Sequence, residues 1–203
     1  MGVRLLYLPP DTMRLTPIPR LVNFELAMNK APTDGYVVEC GVGRGVSLQE
    51  LATLAKGRKV FGFDSFNGLP EDWKMSDDFT WPAGSFACDV PEIDGAEIIV
   101  GYFADTLPEW KLNHADRIAL LHFDGDLYSS AVTVLTELND QILPDTILVF
   151  DDMFLKNHSL AGKYTYWRDN EYKAFHEWQD KYNRETEMIG RGHTGQATFR
   201  VLK

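Results

Sequence analysis

Three aspartates stand where apolar stretches of the sequence end. Asp124 follows the run RIALLHF, and Asp151 and Asp152 follow the run TILVF. Such runs predict buried parallel strands, and open α/β sheets bind ligands at the carboxyl ends of their strands. If the two strands are neighbours, the carboxylates repel one another unless a cation joins them, and oxygen ligands suit Mg²⁺ or Ca²⁺ better than zinc. The alternative is that Asp152 caps a following helix, which is the role we expect for Asp126.

A glycine-rich stretch, YVVECGVGRG, predicts a nucleotide-like ligand. β-Forming residues lead into an acid, Glu39, and then into glycines at alternate positions, Gly41, Gly43 and Gly45. A strand that runs into glycines lets the backbone approach a ligand closely. The dinucleotide fingerprint G-x-G-x-x-G would need a glycine where this chain has Val46. A carboxylate at the strand end suits the sulfonium and amino group of S-adenosylmethionine (SAM), whereas it would repel a pyrophosphate. The alternative is that the glycines form a tight turn that binds no ligand.

The next acid along the chain favours a ribose-containing ligand over an empty turn. Ser47 and leucines at helical spacing predict a helix after the glycines, and the run KVFGF predicts a second strand that ends at Asp64. Asp64 follows Gly45 at close to the roughly 20 residues at which an acid meets ribose hydroxyls in such folds. We therefore expect Asp64 to bind the ribose.

The elements that must position these residues alternate along the chain. Apolar runs predict strands near residues 36–38, 59–63, 96–100, 117–123 and 146–150. Helical spacing predicts helices near 18–30, 129–138 and 170–182, besides a short one in GYFADTLPEW and the one after the glycines. This alternation predicts a doubly wound, mostly parallel α/β sheet. Two extended runs between about 186 and 201 flank several glycines and predict a hairpin that gives the sheet an antiparallel C-terminal edge.

Two segments lack a periodic pattern. Residues 1–15 begin an N-terminal, partly helical lead-in that extends to residue 34. Residues 65–94 contain aromatic residues among proline, glycine and aspartate: Phe66, Trp73, Phe79, Trp81 and Phe86. A loop this long in a compact domain is usually functional or mobile. We expect either a lid over the substrate site or a satellite core.

Composition limits the class of protein. A length of 203 residues predicts a single domain over 1–203, and a net charge of −10 argues against nucleic acid or an anionic membrane as a partner. The start of the chain is too short and proline-interrupted for a signal peptide, and no apolar run approaches the roughly 20 residues of a membrane span. Two cysteines, Cys40 and Cys88, are too few for a disulfide framework, and we expect Cys40 to be buried. The default is a reduced, cytoplasmic enzyme.

Together these motifs resemble a known family. ECGVGRGVS, FDSFNGLP, GYFADTLP, LHFDGDLYSS and LVFDD occur in this order over about residues 23–152. They are similar to the macrocin O-methyltransferase (TylF-like) family of Mg²⁺-dependent sugar O-methyltransferases, which belong to the class I SAM-dependent methyltransferases. The resemblance implies a Rossmann-like methyltransferase fold with a seven-stranded sheet.

The resemblance also implies roles for particular residues. In that family the first Asp of DGD and both Asp of the DD pair hold the metal, which assigns Asp124, Asp151 and Asp152 here. The first of them, Asp124, is the implied catalytic base. The implied cofactor contacts are Glu39 and Gly41 for the methionine part of SAM, Asp64 and Ser65 for the ribose, and Gly101, Tyr102 and Phe103 for the adenine, with Gly43, Gly45 and Ser47 completing the glycine turn.

The sequence therefore predicts Mg²⁺-dependent transfer of a methyl group from SAM to a hydroxyl of a small molecule, a sugar or glycosylated natural product. Ca²⁺ or Mn²⁺ can also occupy such a site. His122 and His193 are second candidates for the base, although His122 lies within a strand and is expected in the core. The alternatives are a catechol-type O-methyltransferase with a phenolic acceptor, a NAD-binding oxidoreductase that Val46 disfavours, and a binding module without chemistry. The sequence does not determine the oligomeric state and is compatible with a homo-oligomer.

Overall fold

The computed structural model describes residues 15–154 and 164–203, and the backbone of 157–158 and 162–163. The predicted lead-in at residues 1–14 lies outside the described residues. Within the described part, no helix is both long and apolar enough to cross a membrane.

Eleven strands are present among the described residues. In chain order they are β1 (Tyr36–Cys40), β2 (Val60–Asp64), β3 (Trp73–Lys74), β4 (Thr80–Trp81), β5 (Glu97–Val100), β6 (Ile118–Phe123), β7 (Ile147–Phe150), β8 (Asn157–His158), β9 (Gly162–Lys163), β10 (Thr186–Arg191) and β11 (Ala197–Val201). Seven of them form one sheet in the order β10-β11-β7-β6-β1-β2-β5. Strands β1, β2, β5, β6 and β7 are parallel, and β11 runs antiparallel to both β7 and β10. The predicted mostly parallel sheet with an antiparallel C-terminal edge hairpin is confirmed.

Helices cover both faces of the sheet. They are α1 (Arg20–Lys30), α2 (Val46–Leu54), α3 (Phe103–Lys111), α4 (Tyr128–Glu137) and α5 (Glu171–Tyr182), with a short 3-10 helix at Trp167–Asp169. Helices α1 and α2 bury an apolar stripe against one face, where Phe24 and Met28 lie one turn apart in the core with Leu48 and Leu51. Helices α3, α4 and α5 cover the other face, where Leu107, Val134 and Phe175 join the larger core cluster. This is the doubly wound arrangement that alternating strands and helices predict.

The middle of the sheet brings the acidic strand ends together. Every residue of β6 and β7 is buried, so apolar packing on both faces fixes these strands. They are parallel neighbours, as the methyltransferase resemblance implies, and Phe123 is paired to Phe150. Asp124 and Asp151 therefore follow directly after paired residues, at the same edge of the sheet. Cys40 at the end of β1 is buried, as expected.

Segment 65–94 is packed against the domain and includes the small β3–β4 hairpin. Trp73 is buried, and its indole nitrogen donates a hydrogen bond to the Tyr164 hydroxyl at 3.2 Å. The rings of Phe79, Trp81 and Phe86 contact one another in sequence, with centroids 5.0 and 4.8 Å apart. The segment therefore packs onto the main core, which Trp73 joins and against which Phe79 and Trp81 pack, instead of forming a separate satellite core. Its role as a lid stays a prediction.

Candidate active site

A cavity of about 520 Å³ lies at the carboxyl ends of the parallel strands. Residues at or within two positions of the ends of β1, β2, β5, β6 and β7 line it, and segment 65–94 and helix α4 complete its wall. The residues predicted for cofactor or metal that line it are Gly41, Gly43, Ser47, Asp64, Ser65, Gly101, Tyr102, Phe103, Asp124 and Asp152. Glu39, Gly45 and Asp151, also predicted, do not line the cavity.

The glycine turn forms one wall of the cavity and requires glycine at specific positions. Gly41, Gly43 and Gly45 all have positive φ angles, of 95°, 52° and 79°, which side chains disfavour. A Cβ atom on Gly41 would lie 1.9 Å from the Asp124 carbonyl oxygen, so glycine lets the turn pack against the end of β6. A Cβ atom on Gly43 would meet nothing within 4 Å, because this glycine faces the open cavity.

Asp64, at the end of β2, holds the glycine turn in place. Its Oδ2 accepts hydrogen bonds from the backbone amides of Val42 and Gly43, at 2.9 and 2.8 Å. Its Oδ1 accepts one from the Phe66 amide at 2.8 Å. The carboxylate also lines the cavity, so its predicted contact with the ribose remains open to it. Sequence reasoning did not foresee the bracing role, because it depends on how β1 and β2 are paired.

Glu39 occupies a different environment from the one predicted. Its side chain is fully buried and accepts a hydrogen bond from His122 Nδ1 at 2.7 Å, instead of facing the cavity. His122 Nε2 lies 3.5 Å from Asp151 Oδ1 on the other side. Burial alone would lower the pKa of His122, but the interactions with Asp151 and Glu39 raise it to about 10, so the imidazole is charged at neutral pH. The expected core position of His122 is confirmed, and an imidazolium held in this way is a poor proton acceptor.

The other histidine considered as a base lies elsewhere. His193 is exposed in the turn between β10 and β11, and its amide donates to the Ile18 carbonyl oxygen at 3.1 Å. It does not line the cavity. Asp124 is therefore better placed to accept a proton from a molecule in the cavity.

Three carboxylates meet at the cavity surface. One carboxylate oxygen from each of Asp124, Asp126 and Asp152 lies within 4.8 Å of the others, a spacing that fits a shared cation. Asp151, which the family resemblance implies as a ligand, is not part of this cluster. The carboxylate of Asp151 is instead engaged by His122 and by the side-chain amide of Gln196.

The helix-capping role expected for Asp126 is wrong. Helix α4 begins at Tyr128 with Leu127 at its N-cap, and the Tyr128 amide donates to the Asn170 side chain at 3.3 Å. Asp126 has a φ angle of 59°, in the left-handed region that aspartate tolerates better than most residues. This backbone conformation cannot be read from the sequence, and it places Asp126 on the cavity wall.

A buried acid from α5 supports this edge of the site. Glu171 is fully buried, and its Oε2 accepts a hydrogen bond from the Asp152 backbone amide at 2.9 Å. Burial and the nearby charges of Glu171 and Asp126 raise the pKa of Tyr164 well above its usual range, so this phenol stays neutral. The sequence offered no signal for Glu171, because only the packing of α5 brings it to the end of β7.

Cations and hydroxyls that the sequence did not single out also line the cavity. Arg20 and Arg44 lie on the side of the glycine turn, and Arg20 Nε is 3.3 Å from Glu50. Helix α4 contributes three hydroxyl side chains: Ser129, Ser130 and Thr133. The cavity therefore offers both charges and several hydrogen-bonding groups to a polar ligand.

Comparison with known proteins defines the class. The family model described as "Methyltransferase domain" matches residues 38–153, and the chain belongs to this family. This confirms the predicted class, a SAM-dependent methyltransferase.

Particular relatives agree with the resemblance read from the motifs. The chain is 25% identical over 197 residues to mycinamicin III 3''-O-methyltransferase of Micromonospora griseorubida, over 84% of this chain and 71% of the relative. It is 27% identical over 177 residues to 8-demethyl-8-(2,3-dimethoxy-alpha-L-rhamnosyl)-tetracenomycin-C 4'-O-methyltransferase of Streptomyces olivaceus, over 71% of this chain and 66% of the relative. The solved structure of the calicheamicin methyltransferase CalS11 has a similar fold, with a TM-score of 0.67 and 22% identity over 96% of this chain and 81% of that one.

Segment 65–94 is expected to become more protected when SAM binds. Ser65, Leu69 and Phe86 line the cavity, so a ligand there adds contacts that opening of the segment would break. With SAM at about 100 times its Kd, the opening free energy can rise by up to about 2.7 kcal/mol. Hydrogen exchange should slow in peptides over 65–88 and stay unchanged in the 186–201 hairpin. Equal exchange with and without SAM would mean that the segment is a static wall.

Proposed function

We propose that this chain transfers the methyl group of SAM to a hydroxyl oxygen of a sugar or a glycosylated small molecule, with a divalent cation bound by the cavity aspartates. One observation carries the proposal: a single cavity combines the glycine turn with carboxylates from the ends of three strands. Both curated relatives are named as O-methyltransferases, which supports transfer to oxygen.

SAM is proposed to lie along the glycine turn. Gly43 leaves room for the cofactor, and Asp64 stands at the end of the neighbouring strand, where the ribose hydroxyls need an acceptor. Gly101 and Phe103, after β5, are the proposed contacts for the adenine. Because Glu39 is hydrogen-bonded to His122, any effect of Glu39 on the methionine part of SAM would be indirect.

Methyl transfer requires a proton acceptor and an aligned oxygen. The acceptor oxygen attacks the methyl carbon from the side opposite the sulfur, the carbon–sulfur bond breaks, and SAM becomes the neutral thioether product. The hydroxyl proton must leave as this bond forms, and Asp124 is the proposed base. Its backbone amide is fixed by the Cys40 carbonyl at 2.9 Å, so its position relative to the glycine turn is set by the pairing of β6 with β1.

The aspartates fit a hard cation. Asp124, Asp126 and Asp152 would hold Mg²⁺, with Ca²⁺ or Mn²⁺ as substitutes, because carboxylate oxygens at this spacing are the ligands these ions prefer. When bound, such an ion lowers the pKa of a coordinated hydroxyl and orients it. The family resemblance also implies Asp151 as a ligand, and in this structure its carboxylate contacts His122 and Gln196.

A phenolic acceptor is the second candidate. Trp73 and Phe86 line the cavity, and aromatic walls suit a planar catechol ring. The names of the relatives favour the glycosylated acceptor. The acceptor screen therefore includes catechols as the alternative substrates.

An acceptor screen tests the proposal. The expected result is that SAM and its thioether product raise the melting temperature while NAD does not, and that labelled methyl reaches glycosides bearing neighbouring hydroxyls. Each acceptor is assayed with Mg²⁺ and with excess chelator. Transfer to catechols alone would replace the sugar by a phenol, and absence of stabilisation by SAM would contradict the proposal as a whole.

A further inference from the structure

The charged side chains that line the cavity are distributed unevenly. Among the described residues that line it, the basic ones are Arg20 and Arg44, on the side of the glycine turn. The acidic ones end or closely follow β2, β6 and β7: Asp64, Asp124, Asp126 and Asp152. Because the whole chain has a net charge of −10, two arginines in one cavity favour a ligand with an anionic group on their side.

SAM has one such group, the carboxylate of its methionine part. The amino group and the sulfonium of SAM are positively charged, so the aspartates of the cavity attract them and repel the carboxylate. The carboxylate therefore needs a cation or hydrogen-bond donors on the side of the glycine turn, along which SAM is proposed to lie.

The backbone amides of the glycine turn are already engaged. The Gly41 and Gly45 amides donate to backbone carbonyl oxygens, each at 2.9 Å. The Val42 and Gly43 amides donate to Asp64 Oδ2, at 2.9 and 2.8 Å. These four amides are not free to bind a carboxylate, so side chains become the main candidates.

Arg20, the first residue of α1, is held by a residue outside the cavity. Its Nε lies 3.3 Å from Glu50 Oε2, and Glu50 does not line the cavity. The guanidinium also lies over the Phe24 ring, 6.0 Å from its centroid. Within the described part of the chain, no hydrogen bond or ion pair engages its two terminal nitrogens. These nitrogens form the fork that matches a carboxylate with two parallel hydrogen bonds.

A buried hydroxyl lies on the same helix as the partner of Arg20. Ser47 precedes Glu50 by three residues on α2, and residues at this spacing are neighbours on a helix surface. Ser47 is only 5% exposed and lines the cavity. The structure shows no hydrogen bond from its hydroxyl to another described residue. A buried hydroxyl without a partner is unfavourable, so this position suits a ligand that brings an acceptor.

We propose that Arg20 binds the carboxylate of SAM, oriented by Glu50 and assisted by the Ser47 hydroxyl. This inference rests on the proposed function, since it takes SAM to lie along the glycine turn. It adds a cofactor-binding side chain from α1, a helix to which the sequence motifs assign no contact. Arg44 is the alternative, but its side chain is exposed and no ion pair within the described residues orients it.

Decarboxylated SAM tests the carboxylate alone, because it keeps the sulfonium and the amino group. In calorimetric titrations, Arg20→Gln should weaken the binding of SAM by about 10- to 100-fold, the usual range for a charge-assisted contact. The same variant should bind decarboxylated SAM nearly as well as the wild-type chain does. Arg20→Lys keeps the charge without the fork, so its SAM affinity should lie between those of the wild type and Arg20→Gln. Arg44→Gln should weaken SAM binding less than Arg20→Gln does.

Arg200→Gln is the matched control. Arg200 also pairs with a glutamate, Glu187, at 2.8 Å, and its side chain is 39% exposed against 37% for Arg20. It does not line the cavity, so its replacement should leave the binding of both ligands unchanged.

Three results would each overturn the inference. They are unchanged SAM affinity in Arg20→Gln, an equal loss of affinity for SAM and decarboxylated SAM in that variant, and a larger effect of Arg44→Gln. An equal loss for both ligands would mean that Arg20 only supports the local structure. Failure of the proposed function is recognised separately. A wild-type chain that binds SAM without transferring its methyl group to a glycoside would contradict that function and leave the carboxylate site standing.

Discussion

Replacing Asp124 by asparagine is expected to abolish most methyl transfer while SAM still binds. Asparagine keeps the shape of the side chain but cannot accept a proton at neutral pH and carries no charge for a cation. A general base contributes about 10²–10⁴-fold to a rate, so kcat should fall by about this factor even at saturating Mg²⁺. The measurement is the initial rate against Mg²⁺ concentration, together with a calorimetric titration of SAM.

The matched control for this change is Asp34→Asn. Asp34 is exposed and does not line the cavity, so the same change of charge should leave the rate unaltered. Full activity of Asp124→Asn would assign the base to another group. Asp126 would then be tested next, because it lines the cavity whereas His193 does not.

Replacing Gly43 by valine is expected to abolish SAM binding while the fold survives. The side chain would meet nothing in the protein within 4 Å and would project into the cavity where the cofactor is proposed to lie. The positive φ angle of 52° adds a cost of about 1–2 kcal/mol to the folded state. SAM affinity should fall by at least about 100-fold, which corresponds to roughly 2.7 kcal/mol.

Gly57→Val separates the loss of stability from the loss of binding. Gly57 also has a positive φ angle, of 86°, and open space at its Cβ position, but it lies in the turn after α2 and outside the cavity. This variant should lose stability to a similar degree and bind SAM like the wild-type chain. Unchanged SAM affinity in Gly43→Val would mean that the cofactor does not lie against this part of the turn.

The strand ends were predictable because apolar runs identify buried strands directly. The run before Asp124 and the run before Asp152 each form a wholly buried strand, and parallel strands bring their carboxyl ends to one edge. The alternate glycines likewise identified the turn that lines the cavity. Local pattern was sufficient here, because buried strands and glycine turns each have a recognisable local sequence.

The side-chain partners were not predictable in the same way. The position of Asp126 beside Asp124 follows from a left-handed backbone angle, and the Asp151 carboxylate contacts Gln196, 45 positions away. The burial of Glu39 depends on the register that places His122 beside it. These choices are made by packing between strands and helices, and one sequence carries no local signal for them.

The most direct test uses SAM labelled with ¹³C in its methyl group, a glycosylated acceptor and the wild-type chain, followed by NMR spectroscopy of the product. The account predicts that the label appears as a methoxy carbon on a sugar hydroxyl oxygen in the presence of Mg²⁺, and that excess chelator suppresses the signal. Label on nitrogen or carbon, or an undiminished signal in chelator, would contradict it.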